Sequence, residues 1–144
     1  MARRPKAIGT AAESAVRDWL IGDGWTDCHR TAQTGATDTG DLLICTRPRV
    51  VAEVKGGAQA DQASAAVIDQ WLAEADVERR NAGAVLCPLV VRRRRRNTSK
   101  WDVWLPLRDV VWLDMGVYGH SRFPVRMSLA DLSDLLRVAV ERGT

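Results

Sequence analysis

A chain of 144 residues, 46% hydrophobic and 27% charged, is long enough to bury a core without disulfide or metal staples, which argues against disorder. No apolar run approaches the ~20 residues of a bilayer span, and the basic start MARRPKAIGTAAESA lacks the apolar stretch of a signal peptide, so neither a membrane partner nor export is expected. The formal net charge of +3 is unevenly spread: Arg3, Arg4 and Lys6 sit in a flexible basic arm (1–8), and Arg92, Arg93, Arg94, Arg95 and Arg96 run consecutively through a basic loop (92–100).

Between these lies a pattern of alternating helices and strands. Ala12, Val16, Trp19 and Leu20 recur at helical spacing and predict a helix from about Thr10 to Gly22, stopped by Gly22 and Gly24. WTDCHRTAQTG is read as a first strand. Two apolar runs, Leu42 to Cys45 and Val50 to Lys55, flank TRPR and predict a hairpin. After Gly56-Gly57, a long amphipathic helix carries Val67, Ile68, Trp71, Leu72 and Ala75 on its buried stripe and stops at Asn81 to Gly83. Ala84 to Val91 reads as a buried strand, and WDVWLPL as a further one by alternation. RDVVWLDMG fits a strand end or a helical turn. SLADLSDLLRVAVERG closes the chain as a helix with Ser128 as N-cap and Gly143 as stop. The expected order is α-β-β-β-α-β-β-α, one α/β (α+β) domain over 1–144 with a mixed sheet flanked by helices. The strands before and after the long helix suit a right-handed crossover.

The hairpin carries charges that a covered strand face does not ordinarily hold: Asp41 opens the first run, and Glu53 and Lys55 sit in the second. Only three of the 21 basic residues are lysine and only five of the 18 acids are glutamate, so Glu53 and Lys55 both run against the chain's habit. A compact ammonium is not interchangeable with a guanidinium. Strand alternation turns Glu53 and Lys55 to one face with Val51, while Val50, Ala52 and Val54 line the other. Asp41 joins them only if parity allows. Pairing opposite Glu53 or Lys55 needs an odd-numbered loop, and a four-residue loop needs a bulge. Two carboxylates one strand apart repel unless a cation lies between them, and oxygen-only ligands favour Mg²⁺ or Mn²⁺ over zinc.

GD…E-V-K, with Asp41, Glu53 and Lys55, resembles the PD-(D/E)XK nuclease superfamily, and most closely its small Holliday junction resolvases of archaeal and phage type. The likeness runs from Gly9 to about Val91, with Gly40 standing where the motif has proline. It implies a restriction-endonuclease-like core and an Mg²⁺-dependent (Mn²⁺ possible) endodeoxyribonuclease that nicks four-way junction DNA in pairs. On that resemblance Asp41, Glu53 and the Val54 carbonyl hold the metal, Glu13 completes the site from the first helix, and Lys55 positions or activates water. Gln70 is a softer match. Paired symmetric nicks imply a homodimer, with the C-terminal helix and the Trp-rich strand as candidate surfaces. The resemblance also implies a soluble cytoplasmic protein, prokaryotic or phage-encoded.

Other readings stay open beside these. The same metal site serves repair, restriction-like and exonuclease enzymes, and a non-catalytic DNA-binding module could keep the fold and the basic patches. Thr10-Ala-Ala-Glu13 has the form of a capping box. Asp38 suits the ATDTG turn, and Gln70 suits a helix surface. Arg3, Arg4, Lys6 and Arg92 to Arg96 are expected to contact phosphates. His29 and His120 read as structural. Cys28, Cys45 and Cys87 read as reduced thiols, since they are odd in number and lack C-x-x-C spacing. The six tryptophans are expected mostly in the core, with Trp101 and Trp104 the two that could instead meet bases.

Overall fold

The architecture is a six-stranded mixed sheet flanked by helices, seen in a computed structural model that describes residues 5–32 and 38–143, the backbone alone for 5–9. In chain order the elements are α1 (Pro5–Gly22), β1 (His29–Arg30), β2 (Leu42–Thr46), β3 (Arg49–Lys55), a one-turn helix α2 (Ala58–Asp61), α3 (Ala65–Ala82), β4 (Leu89–Val91), β5 (Asp102–Pro106), α4 (Leu107–Met115), β6 (Pro124–Ser128) and α5 (Leu129–Arg142). The strands lie in the sheet in sequence order. Only β3 and β4 run parallel, joined by the crossover through α3; every other neighbouring pair is antiparallel. This is the mixed α/β class expected, and it is consistent with a restriction-endonuclease-like core.

Both sheet faces are covered. Ala12, Val16 and Leu20 of α1 and Leu132, Leu136 and Ala139 of α5 close over Leu42, Ile44, Val50, Ala52, Val54, Val90, Val103 and Leu105. The other face meets α3, whose Ile68 and Trp71 pack with Leu89 and Val91, and whose Ala75 packs with Leu43 and Val51. The alternation read from Val50 to Lys55 is therefore real. Ser64 caps α3 by accepting the Val67 N–H, and Gly83 ends it at φ 62°. Ser128 caps α5 by accepting the Asp131 N–H, and Gly143 ends it at φ 80°.

Several expectations are corrected. α1 begins at Pro5, so Pro5 to Ile8 of the basic arm are helical, and Thr10 lies inside the helix. A capping box needs its first residue outside the helix, so that reading of Glu13 fails. Arg3 and Arg4 lie outside the described residues, and Lys6 is described by its backbone only. The first strand is just His29–Arg30, and Gln33 to Gly35 of its expected run are not among the described residues. The run Ala84 to Val91 yields a strand only from Leu89, because Pro88 has no N–H to give a ladder. Ahead of it, Leu86 makes a single bridge to Val50. RDVVWLDMG is helix α4, closed by Gly116 at φ 76°. A sixth strand, β6, then pairs with β5. That pairing puts the Trp-rich strand inside the sheet, between β4 and β6. Trp101 is buried, and Trp104 packs against the α3 side.

Candidate functional site

One irregularity places Asp41. Thr46 faces Arg49 and Cys45 faces Val50, then the ladder skips Ile44, so that Leu43 faces Val51 and Leu42 faces Ala52. Ile44 and Cys45 both turn to the α1 side, as the extra residue of a bulge requires. Continued, this register sets Asp41 level with Glu53. Without the skip, Asp41 would oppose Val54 and face the α1-side core. The turn Arg47-Pro48 is even-numbered, so the bulge supplies the parity that the site needs.

Gly40 leads into this point at φ 91°, a left-handed conformation that proline's fixed φ excludes. A proline could not stand at this position. The Gly40 carbonyl accepts the Thr31 hydroxyl, the Asp41 N–H donates to Ala52 O (2.9 Å), and the Thr31 N–H donates to Asp41 O (3.0 Å). The Val54 N–H donates to Asp41 Oδ2 at 2.8 Å.

Glu53 is 5% exposed. Burial first, then the Glu53 carboxyl beside it, pushes Asp41 up to about 8. Burial likewise pushes Glu53 up to about 8, with Glu78 adding to the rise and Asp41 and Lys55 opposing it. Glu13 reaches the same group from α1. Its carboxyl is raised by burial and by Asp41, against the pull of Arg30, whose Nε and Nη2 lie 3.1 and 3.0 Å from Glu13 Oε2. Lys55 lies one strand step beyond Glu53 on the same face. Its Nζ is 3.6 Å from Glu74 Oε2 and 5.4 Å from the Trp71 ring centre. Gln70 does not reach the carboxylates; its amide meets Glu74 at 3.5 Å.

No family model, curated protein or solved structure matches this chain. Its chemistry has to be read from its own side chains.

Two further acids belong to the group. Glu78, 4% exposed, extends the α3 stripe Ile68–Trp71–Ala75 by one more helical step, and burial followed by Asp38 and Asp41 raises it to about 7. Sequence reading passed over Glu78, although this spacing marks it as inward-facing. Asp38 does serve its turn, since its Oδ1 accepts the Gly40 N–H at 3.0 Å, yet it also stands beside Glu78. An all-oxygen donor set of this density suits Mg²⁺ or Mn²⁺.

The basic loop begins where Lys55 sits, because the Arg92 N–H donates to Lys55 O (2.9 Å). Arg92, Arg93, Arg94, Trp104 and Arg126 line a cleft of about 460 Å³. Arg126 lies 6.0 Å from the Trp104 ring centre, and Arg93 is tied to Asp102 Oδ2 at 3.0 Å. Arg94, Arg95 and Arg96 are exposed. His29 is an exposed residue whose Nδ1 is 2.9 Å from Asp27 O. The three cysteines are unpaired, and burial raises Cys28 and Cys45 to about 11 and Cys87 well above the usual thiol range.

Proposed function

We propose that this chain is a metal-dependent, structure-specific endodeoxyribonuclease of the PD-(D/E)XK type, acting on branched DNA as a Holliday junction resolvase does. One observation carries the reading: the bulge at Ile44 sets Asp41 beside Glu53 on the sheet face that also bears Lys55. Asp41, Glu53 and the Val54 carbonyl would hold the cation, with Glu13 completing the set from α1. The bound cation supplies Lewis-acid stabilisation of the charge that builds on a phosphodiester under attack.

The chain's own residues divide the rest of the work. Lys55 presents an ammonium at the edge of the acid group and orients the attacking water. Its contact with half-exposed Glu74 is a surface pair worth under ~1 kcal/mol, so incoming DNA can displace it. Arg30 pins Glu13 through a forked contact. The arginines from Arg92 onward take phosphates on the Lys55 side, and the Trp104 face offers a stacking surface for an unpaired base. A small nuclease with no separate base-reading element reads DNA by shape and deformability, and a four-way junction is defined by shape.

Symmetric nicks need two sites related by a two-fold axis, which makes the working form a homodimer. Met115, Val117, Tyr118 and Phe123, 65%, 58%, 55% and 73% exposed, give an apolar stretch between α4 and β6 for that contact, beside α5 with its exposed Val138 and Val140.

The deciding experiment compares cleavage of an immobile four-way junction and a matched linear duplex, with and without Mg²⁺, by wild type and Asp41→Asn. Metal-dependent paired nicks on the junction alone, lost in the variant while binding persists, are expected. Equal cutting of the linear duplex moves the chain to a general nuclease. Tight binding without cutting in Mg²⁺ or Mn²⁺ leaves a DNA-binding module.

A further inference from the structure

The acid group has a second half that the catalytic reading does not use. Carboxylate oxygens of Asp38, Glu53 and Glu78 all lie within 4.8 Å of one another. They come from three separate elements: the turn before β2, the middle of β3, and the buried stripe of α3. Glu78 Oε2 is buried with no hydrogen-bond partner. An acid in that position costs several kcal/mol unless something neutralises it. Among the described residues no lysine or arginine does so. Arg79 and Arg80, which follow Glu78, pair with Asp76, and Lys55 pairs with Glu74.

The three acids are also held in place. Glu53 sits in a strand bonded on both sides. The Asp38 turn is fixed by the Gly40 N–H on Asp38 Oδ1 and by the Asn81 amide, which donates to Asp38 O at 2.9 Å. Asn81 follows Glu78 by three residues, so α3 supplies both an acid and the clamp that holds the facing turn against it. A turn fixed in this way keeps three like charges together, an arrangement that only a positive charge or shared protons can offset.

We propose that Asp38, Glu53 and Glu78 form a second divalent-cation site next to the Asp41–Glu53 site, with Glu53 bridging the two. The ligand is a hard, oxygen-preferring cation of the Mg²⁺, Mn²⁺ or Ca²⁺ class, because the site offers carboxylates and no imidazole. The Asp41 half rests on the nuclease reading. The Asp38–Glu78 half rests on its own geometry.

The test titrates the full chain with Mn²⁺, reading free ion by electron paramagnetic resonance and heat by calorimetry, after removal of metals with chelator. Wild type is expected to bind two ions, Glu78→Gln one, Asp38→Asn one, and Asp41→Asn one. Glu78→Gln is near-isosteric, and its thermal unfolding is followed in parallel. If it fails to fold, exposed Asp38→Asn carries the test alone. A single ion in wild type, or two ions retained by both Glu78→Gln and Asp38→Asn, overturns the proposal. Junction cleavage on the same samples separates the two claims. Two ions without cleavage overturn the nuclease reading and keep the site, whereas cleavage with one ion keeps the nuclease and removes the site.

Discussion

Without a divalent cation, the folded protein should lose stability as pH rises from 5 to 8. Asp41 and Glu53 are held up to about 8 and Glu78 to about 7, against roughly 4 for free carboxyls in an unfolded chain. A folded-state value above the unfolded one means that the fold keeps a proton the unfolded chain has released. The resulting stability is full below the unfolded value and disappears as pH climbs through the folded one. Each retained proton removes about 1.4 kcal/mol per pH unit between those limits.

Counting only one proton for the coupled group, the loss from pH 5 to 7 is about 2.7 kcal/mol. At roughly 2–4 °C per kcal/mol for a domain of this size, the melting temperature falls by about 5–11 °C. Asp23, whose carboxyl is lowered by the Ser133 hydroxyl and by Arg137, acts in the opposite sense, but below the unfolded carboxylate range and so outside this window. The assay is thermal unfolding in EDTA at unit pH steps, repeated with saturating Mg²⁺, which displaces the protons and flattens the slope. The triple variant Asp41→Asn/Glu53→Gln/Glu78→Gln should flatten it without metal. A melting temperature that is level or rising between pH 5 and 8 in EDTA refutes the account.

Gly40→Ala forces a side chain into φ 91° and sets its Cβ 3.3 Å from Ala52 O. Urea unfolding should show a loss of about 1–3 kcal/mol, and an unchanged midpoint would mean that the turn relaxes freely. Ser133→Ala removes the hydroxyl that donates to Asp23 Oδ2 (2.6 Å) and accepts from Trp25 Nε1 (2.7 Å). It should cost about 1–3 kcal/mol in the same assay, and a neutral result would show that water replaces both bonds. Arg94→Ala and Arg95→Ala should each weaken junction binding and shallow the log K against log salt slope by about 0.9, whereas Arg93→Ala, already tied to Asp102, should change it less. Slopes unchanged from wild type in all three would place the loop away from phosphate.

The fold was legible wherever period and punctuation agreed. α3 and α5 each begin at a serine cap and end at a glycine with positive φ, and the α1 stripe Ala12–Val16–Leu20 is buried as its spacing requires. α4 was not separable from a strand, because Val110-Val111-Trp112 is a short continuous apolar run that fits either element. The glycine at its end, Gly116, was the available signal. β6 has only a two-residue apolar face, Val125 and Met127, to announce it. It starts at Pro124, carries Arg126 and is half-exposed along its length, which are the marks of an edge strand protected against further pairing.

The site divides along the same physical line. Glu53 and Lys55 could be placed on one face from strand periodicity alone, because that depends on a single chain segment. Asp41 could not, because its face depends on how two strands pair, and a one-residue slip reverses it. Ile44 is an ordinary strand residue to the eye, yet as the extra residue of the bulge it turns Asp41 from the core face to the Glu53 face. Glu78 lay hidden for a related reason. It is an acid on a helix otherwise rich in exposed charge, and although the stripe Ile68–Trp71–Ala75 runs on to it, only its meeting with Glu53 and Asp38 across elements gives it a role. Both residues acquire their role through pairing between elements, and both end against Glu53. That makes Glu53 the residue through which strand register and helix packing meet. It follows that deleting Ile44 would remove the bulge yet leave Asp41 level with Glu53, because Cys45–Val50 and Leu43–Val51 would then be successive pairs. One residue inserted between Asp41 and Leu42 would instead carry Asp41 to the level of Val54 on the α1 side and abolish metal binding there.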